Sequence, residues 1–187
     1  MKLTINLSRI KNKELLVRKI YDEYKNNIYK GKCVMQFEGA MLEYRLQKGK
    51  DKFEPIYYYT NIDLPQILTR RECEFFIKEG KTYKQLSSAI EDELFVIYVE
   101  LYEETPMETQ ELLCEGIKLE IRELNTSKNH PLITFEYMAN HLDILSMIGS
   151  IYTYIEDKEW ERDSAEIDED RGVYVLYVTP TGYMLAT

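Results

Sequence analysis

The sequence predicts an α+β domain, a mostly antiparallel sheet with three to five helices packed on one face. Three observations carry that expectation. Strict apolar alternation runs from Phe95 to Leu101, strand-like runs separated by turn residues fill the stretch from Cys33 to Thr60, and helix-start signals stand at Asp63 and Thr105. The chain reads as a single domain, 1–187, in which 104–106 is the one place where a division into two lobes would fall.

Taken in order, Leu3, Ile5 and Leu7 alternate with polar residues and predict a strand over Lys2 to Leu7. Val17, Tyr21, Tyr24 and Ile28 recur at helical spacing and predict a helix from Asn12 to Ile28. Cys33 to Glu38, Met41 to Gln47 and Phe53 to Thr60 read as three antiparallel strands. Asp63, with Pro65 in the first turn, opens a helix that Gly80 ends. Thr82 and Gln85 form a capping-box pattern ahead of Leu86, Ile90 and Leu94, which predicts another helix.

The alternation over Phe95 to Leu101 is a strand with a nearly all-apolar inner face. Thr105, Pro106 and Glu108 open a short helix closed by Gly116. Ile117, Leu119 and Ile121 alternate with charged residues as a strand should. Leu132 to Ile148 fits a helix through Phe135, Met138, Leu142 and Leu145, although Ile133 to Phe135 would also suit a strand. Ile151 to Ile155 and Val173 to Thr179 read as strands, Pro180-Thr181-Gly182 as a turn, and Tyr183 to Ala186 as a last strand, with the acidic run between them a loop or frayed turn. No internal repeat is read: Cys33, Cys73 and Cys114 are spaced 40 and 41 residues apart, but their flanks do not match.

With 187 residues and a hydrophobic fraction of 44%, the chain can bury a sizeable core. Its longest apolar runs fall well short of the roughly 20 residues of a membrane helix. The first residues lack the apolar run of a secretory signal, so the expected location is the cytoplasm. Three cysteines cannot all pair and read as reduced thiols. The usage, rich in Lys, Glu, Ile, Asn and Tyr, has the style of a low-GC bacterium or its phage.

The net charge of −9 is unevenly placed: residues 1–90 carry +7 and residues 91–187 carry −16. Most of the acid lies in two concentrations, one holding Glu100, Glu103 and Glu104, the other Glu156, Asp157, Glu159, Glu161, Asp163, Glu166, Asp168, Glu169 and Asp170 around Trp160. Such a run is either a hydration coat or a surface that meets something cationic; a tryptophan inside it favours the second, since indoles are enriched at binding hot spots, unless it packs back onto the core.

Motifs of chemistry are missing. His130 and His141 belong to no metal-ligand spacing, the eight glycines form no phosphate-cradling loop, and Asp168 to Gly172 lacks the alternate acids of a calcium loop. No cofactor and no metal are expected, and direct nucleic-acid binding is disfavoured by the field of a −9 chain. The expectation is therefore a non-catalytic protein-binding module that meets a basic groove through its acidic residues. Its sharpest form is a phage or mobile-element inhibitor of a nucleic-acid enzyme, of anti-CRISPR or anti-restriction type, acting by charge mimicry. The competing expectations are a tyrosine-lined small-ligand or enzyme site with His141 at its floor, and a salt-sensitive self-assembling protein.

Overall fold

The structure, a computed structural model, describes residues 39–104, 106 and 116–185, all within the second of the two units, 1–36 and 37–187, into which the chain divides. The expected strand at Lys2 to Leu7, the helix at Asn12 to Ile28, the strand at Cys33 to Glu38 and the helix from Thr105 to Gly116 lie outside the described residues, apart from the isolated Pro106 and Gly116.

The elements follow one another as β1 (Ala40–Gly49), β2 (Lys52–Ile62), α1 (Leu64–Arg71), β3 (Phe75–Lys78), β4 (Lys81–Glu91), β5 (Leu94–Glu104), β6 (Ile117–Glu123), β7 (Leu132–Met138), α2 (His141–Ile148), β8 (Tyr152–Ile155), β9 (Lys158–Asp168) and β10 (Val173–Met184), with one 3-10 turn at Thr126–Lys128. Among the described residues the ten strands form one mixed sheet in the order β2-β1-β5-β4-β3-β9-β10-β6-β7, with β8 paired to β9. The expected α+β class with three to five helices is overturned: 64% of the described residues are strand and only two α-helices accompany them.

Each misreading has a local cause. The helix opened by Asp63, whose side chain accepts from the Gln66 N–H at 2.7 Å, stops at Arg71, and β3 follows before Gly80. Glu79 and Gly80 both adopt positive φ, the geometry of a tight hairpin turn. That turn sends Thr82 and Gln85 into β4, where the helical spacing of Leu86 and Ile90 is coincidental: both are exposed, and the strand bulges between Gln85 and Ser87. Between Leu132 and Ile148 the chain is strand and then helix, because Asn140 caps α2 by accepting from the Leu142 and Asp143 N–H groups. The acidic run is the long strand β9, and β10 continues through Pro180 to Met184, with its pairing irregular where proline offers no N–H.

The pairing register exposes a repeat that cysteine spacing hides. Glu38-Gly39-Ala40-Met41-Leu42-Glu43-Tyr44-Arg45 recurs 77 positions later as Glu115-Gly116-Ile117-Lys118-Leu119-Glu120-Ile121-Arg122. In both halves the first strand runs parallel to the last, Leu42 opposite Phe95 and Leu119 opposite Tyr174, and those last strands read Phe-Val-Ile-Tyr-Val (95–99) and Tyr-Val-Leu-Tyr-Val (174–178). Register shifts fall at matching places, after Tyr44 and Ile121, and between Gln85 and Ser87 as between Arg162 and Ser164. The helices match too, with Asp63 and Asn140 as caps and Ile67 and Ile144 fully buried. One insertion separates the halves: Glu91 pairs with Leu94 across two residues, whereas Asp168 pairs with Val173 across four.

Strand β3 joins the two repeats, antiparallel to β4 on one side and parallel to residues 166–168 of β9 on the other. One core lies between the sheet and the helices: Leu42, Tyr44, Ile97, Val99, Leu119, Ile121, Leu176 and Val178 from strands meet Ile67, Ile144 and Ile148. Full burial of each aliphatic side chain among them contributes about 2 kcal/mol. By strand alternation Glu43, Val96, Glu120, Val175, Glu166 and Asp168 are buried on the opposite face.

Candidate interaction surface

The run of carboxylates is divided by the fold rather than displayed as one patch. Glu166 is 9% exposed, pairs in register with Phe75 and Val175, and has its carboxyl pushed up to about 7 by burial, with Asp168 adding to the shift. Asp168 is buried and accepts from Arg171 Nε at 2.7 Å. Glu169 is held by Arg70 Nη2 at 2.5 Å, Lys78 Nζ at 2.5 Å and the Tyr59 hydroxyl at 2.8 Å; burial works against its ionisation, but these donors keep its carboxyl below the usual range. Asp170 accepts from the Glu79 and Gly80 N–H groups at 2.8 Å each, tying the longer turn of the second repeat to the β3–β4 hairpin.

The remaining residues of the run come together at the other end of β9. Tyr152 stands opposite Glu161 and Tyr154 opposite Glu159, while Thr179 pairs with Glu161 across the second ladder. Cross-strand partners share a face, so Tyr152, Tyr154, Glu159, Glu161 and Thr179 project on one side of a three-stranded lobe. Tyr154 donates to Glu159, and the Thr181 hydroxyl reaches Glu159 Oε1 at 3.0 Å. Tyr152, Tyr154 and Tyr183 remain 52%, 47% and 55% exposed, an unusual concentration of open rings, and the turn of Glu156 and Asp157, both at positive φ, extends the acid beyond them.

Trp160 is on the other side. It is half-buried against the core, and its indole N–H finds no acceptor among the described residues. Asp163 sits at the β9 bulge, exposed, accepting from Ser164 at 2.9 Å. The second acidic group, Glu100, Glu103 and Glu104, lies on β5, Glu103 opposite Thr82 and Glu104 opposite Lys81, so the sheet does not merge it with the β9 carboxylates by direct strand pairing.

A separate cluster centres on the first repeat, and no local sequence pattern marks it. Tyr44 stacks on Phe76 at 4.3 Å between centroids, Phe76 on Tyr83 at 5.8 Å, and Tyr57 and Tyr59 meet these rings edge-on. The Arg70 guanidinium lies 4.5 Å from the Tyr59 ring centre. Burial pushes the Tyr44 hydroxyl up to about 12. His141, lowered by burial, stands edge-on to Tyr174 at 6.0 Å, and the Tyr174 hydroxyl and Arg70 Nε are buried without hydrogen-bond partners among the described residues. These rings come from β1, β2, β3, β4 and β10; only the sheet order, not sequence spacing, assembles them.

Among the described residues no group of His, Cys, Asp and Glu is arranged to hold a metal ion, and no helix is long and apolar enough to cross a membrane. Compared with known protein families, with curated proteins and with solved structures, the chain matches none of them.

Proposed function

We propose that the chain is a non-catalytic protein-binding module whose contact face is the lobe of β8, the first half of β9 and the second half of β10. The observation that carries this reading is the co-facial set of Tyr152, Tyr154, Glu159 and Glu161, with Tyr183, Glu156 and Asp157 beside it. Tyrosines supply contact area at low entropic cost, and carboxylates among them favour a basic partner and faster encounter. Charge mimicry of a nucleic acid is the narrower form of this reading; it draws on Glu156, Asp157, Glu159 and Glu161, because the fold uses Asp168, Glu169 and Asp170 internally.

The test compares the chain with a Y152S/Y154S/E159Q/E161Q variant in capture of partners from cells, identified by mass spectrometry. The expected result is a basic protein recovered by the parent chain, released by raised salt, and lost from the variant at unchanged thermal stability. Equal recovery by the two would remove this face from the function.

A small-ligand reading is favoured by one observation, the unpartnered Tyr174 hydroxyl and Arg70 Nε inside the aromatic cluster. Its signature would be a ligand-induced rise in melting temperature abolished by Tyr174→Phe.

A further inference from the structure

The two repeats differ at one strand edge. On β9, residues 158–161 are covered by β8 and residues 166–168 by β3, so this side of the strand is occupied along most of its length. On β4, β3 covers residues 81–84 only; from Leu86 to Glu91 the side away from β5 has no strand partner among the described residues. The repeat identifies what is missing. Residues 89–91 of β4 correspond to 166–168 of β9, against which Phe75, Phe76 and Ile77 of β3 lie in parallel; the corresponding piece of the second repeat, β8, does not pair with β4.

The open stretch presents apolar side chains to solvent. Ile90 is 58% exposed and Leu86 is exposed beside it. Where Leu86 leaves the bulge, Arg71, Glu72, Cys73, Glu74, Gln85 and Leu86 line a crevice of about 160 Å³, space for a single long side chain. The surroundings hold both signs: Glu72 is exposed and in no ion pair among the described residues and Asp92 and Glu93 stand in the β4–β5 turn, while Glu74 is shared with Arg162, Glu91 is held by Arg45 at 2.7 Å, and Arg71 Nε donates to Ser88 Oγ at 3.1 Å, which leaves Glu72 and the turn as the acid that meets an incoming strand. Unpaired backbone groups on a strand edge accept an added strand, and flanking charge selects its sequence.

We propose that the open edge of β4 at Leu86–Glu91 binds an extended peptide segment of a partner protein, basic at alternate positions, as an added strand. The backbone ladder supplies the affinity, Glu72 and the acid of the turn select Lys or Arg, and the crevice at Leu86 takes one of those side chains. The chain's own β3 against β9 is the internal example of such a strand. This site stands apart from the face of Tyr152 and Tyr154 and does not depend on it.

A seven-residue synthetic peptide of alternating lysine and valine, titrated against the full chain, tests the proposal by residue-resolved amide hydrogen exchange. The N–H of Ile90 corresponds to that of Ile167, which faces β3, and its exchange is expected to slow at least tenfold at saturation. The same peptide with glutamate for lysine should leave it unchanged. Ile90→Pro, which deletes the N–H at an exposed edge position, should weaken binding at least tenfold. Unchanged exchange at Ile90 with saturating lysine peptide, equal binding of the glutamate peptide, or equal binding by a folded Ile90→Pro variant would each overturn the proposal. So would slowing that depends on protein concentration without peptide, which would assign the edge to a second copy.

Discussion

The two repeats keep one backbone plan and bury different chemistry under it. In the first, Tyr44, Tyr57, Tyr59, Phe76 and Tyr83 gather around Arg70 and Lys78; the corresponding residues of the second are Ile121, Thr134, Glu136, Thr153, Trp160, Met147 and Ile155. What stays common is the polar pairing on the opposite face. Arg45 holds Glu43 and reaches Glu91 at 2.7 Å and the Tyr98 hydroxyl at 3.2 Å, and at the matching places Arg122 holds Glu120 at 2.8 Å while Asp168 and Tyr177 stand for Glu91 and Tyr98. The two-residue insertion adds Arg171, which bridges Asp168 and Glu120, and presents Glu169 to the basic cluster of the other repeat. The two repeats thus share a pairing scheme while the side chains packed beneath it differ, and Glu169 of one reaches the cations of the other.

The largest effect should come from breaking that difference. Replacing Arg70 by its counterpart, Arg70→Met, leaves the mostly buried Glu169 with Lys78 alone among cations and is expected to cost about 3 kcal/mol; adding Glu169→Gln should recover most of the loss. Denaturant unfolding of the two variants measures both numbers, and additive losses would mean that the pair does not couple the repeats.

A second prediction uses pH. Because burial raises the Glu166 carboxyl from 4.5 to about 7, the folded chain holds a proton there that the unfolded chain releases. That contribution is complete below pH 4.5 and is lost as pH rises through 7, so Glu166→Gln should gain about 2 kcal/mol over the parent on going from pH 5 to pH 8. Thermal unfolding across that range decides it, and a parallel pair of pH profiles would show that Glu166 ionises normally.

The smallest effect sharpens the equivalence of the two strand entries. Gly39 and Gly116 both have positive φ, but an added Cβ would lie 2.9 Å from the Met138 carbonyl at Gly116 and 3.1 Å from the Asn61 side-chain oxygen at Gly39. Gly116→Ala should therefore cost about 2 kcal/mol and Gly39→Ala about 1, since an amide can swing away and a backbone carbonyl cannot. Equal losses would mean that φ alone sets the cost.

Part of this was legible beforehand. The β5 alternation and the Asp63 cap act locally and predict the strand and the helix start that form, as the runs Met41 to Gln47 and Phe53 to Thr60 predict β1 and β2. The β4 segment was not, because Thr82 and Gln85 satisfy a helix rule while the preceding Glu79-Gly80 turn, with both residues at positive φ, commits the chain to a hairpin. In the acidic run the charges hid the strand: Ala165 and Ile167 give it only a short inward stripe, and its pairing partners β3 and β10 are remote or separated by a turn of unusual length. The doubled Glu-Gly-x-x-Leu-Glu-x-Arg was present throughout, but at a spacing of 77 no cysteine marks it. The roles of Glu169 and Asp170 depended on a contact about 90 residues away.

Strand β3 is only four residues long, yet besides the packing of α1 on α2, where the Thr69 hydroxyl donates to the His141 carbonyl, several links between the halves meet on it and its flanks: the three register pairs with β9, Arg162 on Glu74, Glu169 on Arg70 and Lys78, and Asp170 on the β3–β4 turn. A segment answerable to both repeats is not free to drift with either. In sequences that keep this fold, positions 70–80 and 162–170 are therefore expected to change in concert, Arg70 with Glu169 and Glu74 with Arg162, while the outward residues of β2 and β7 vary independently.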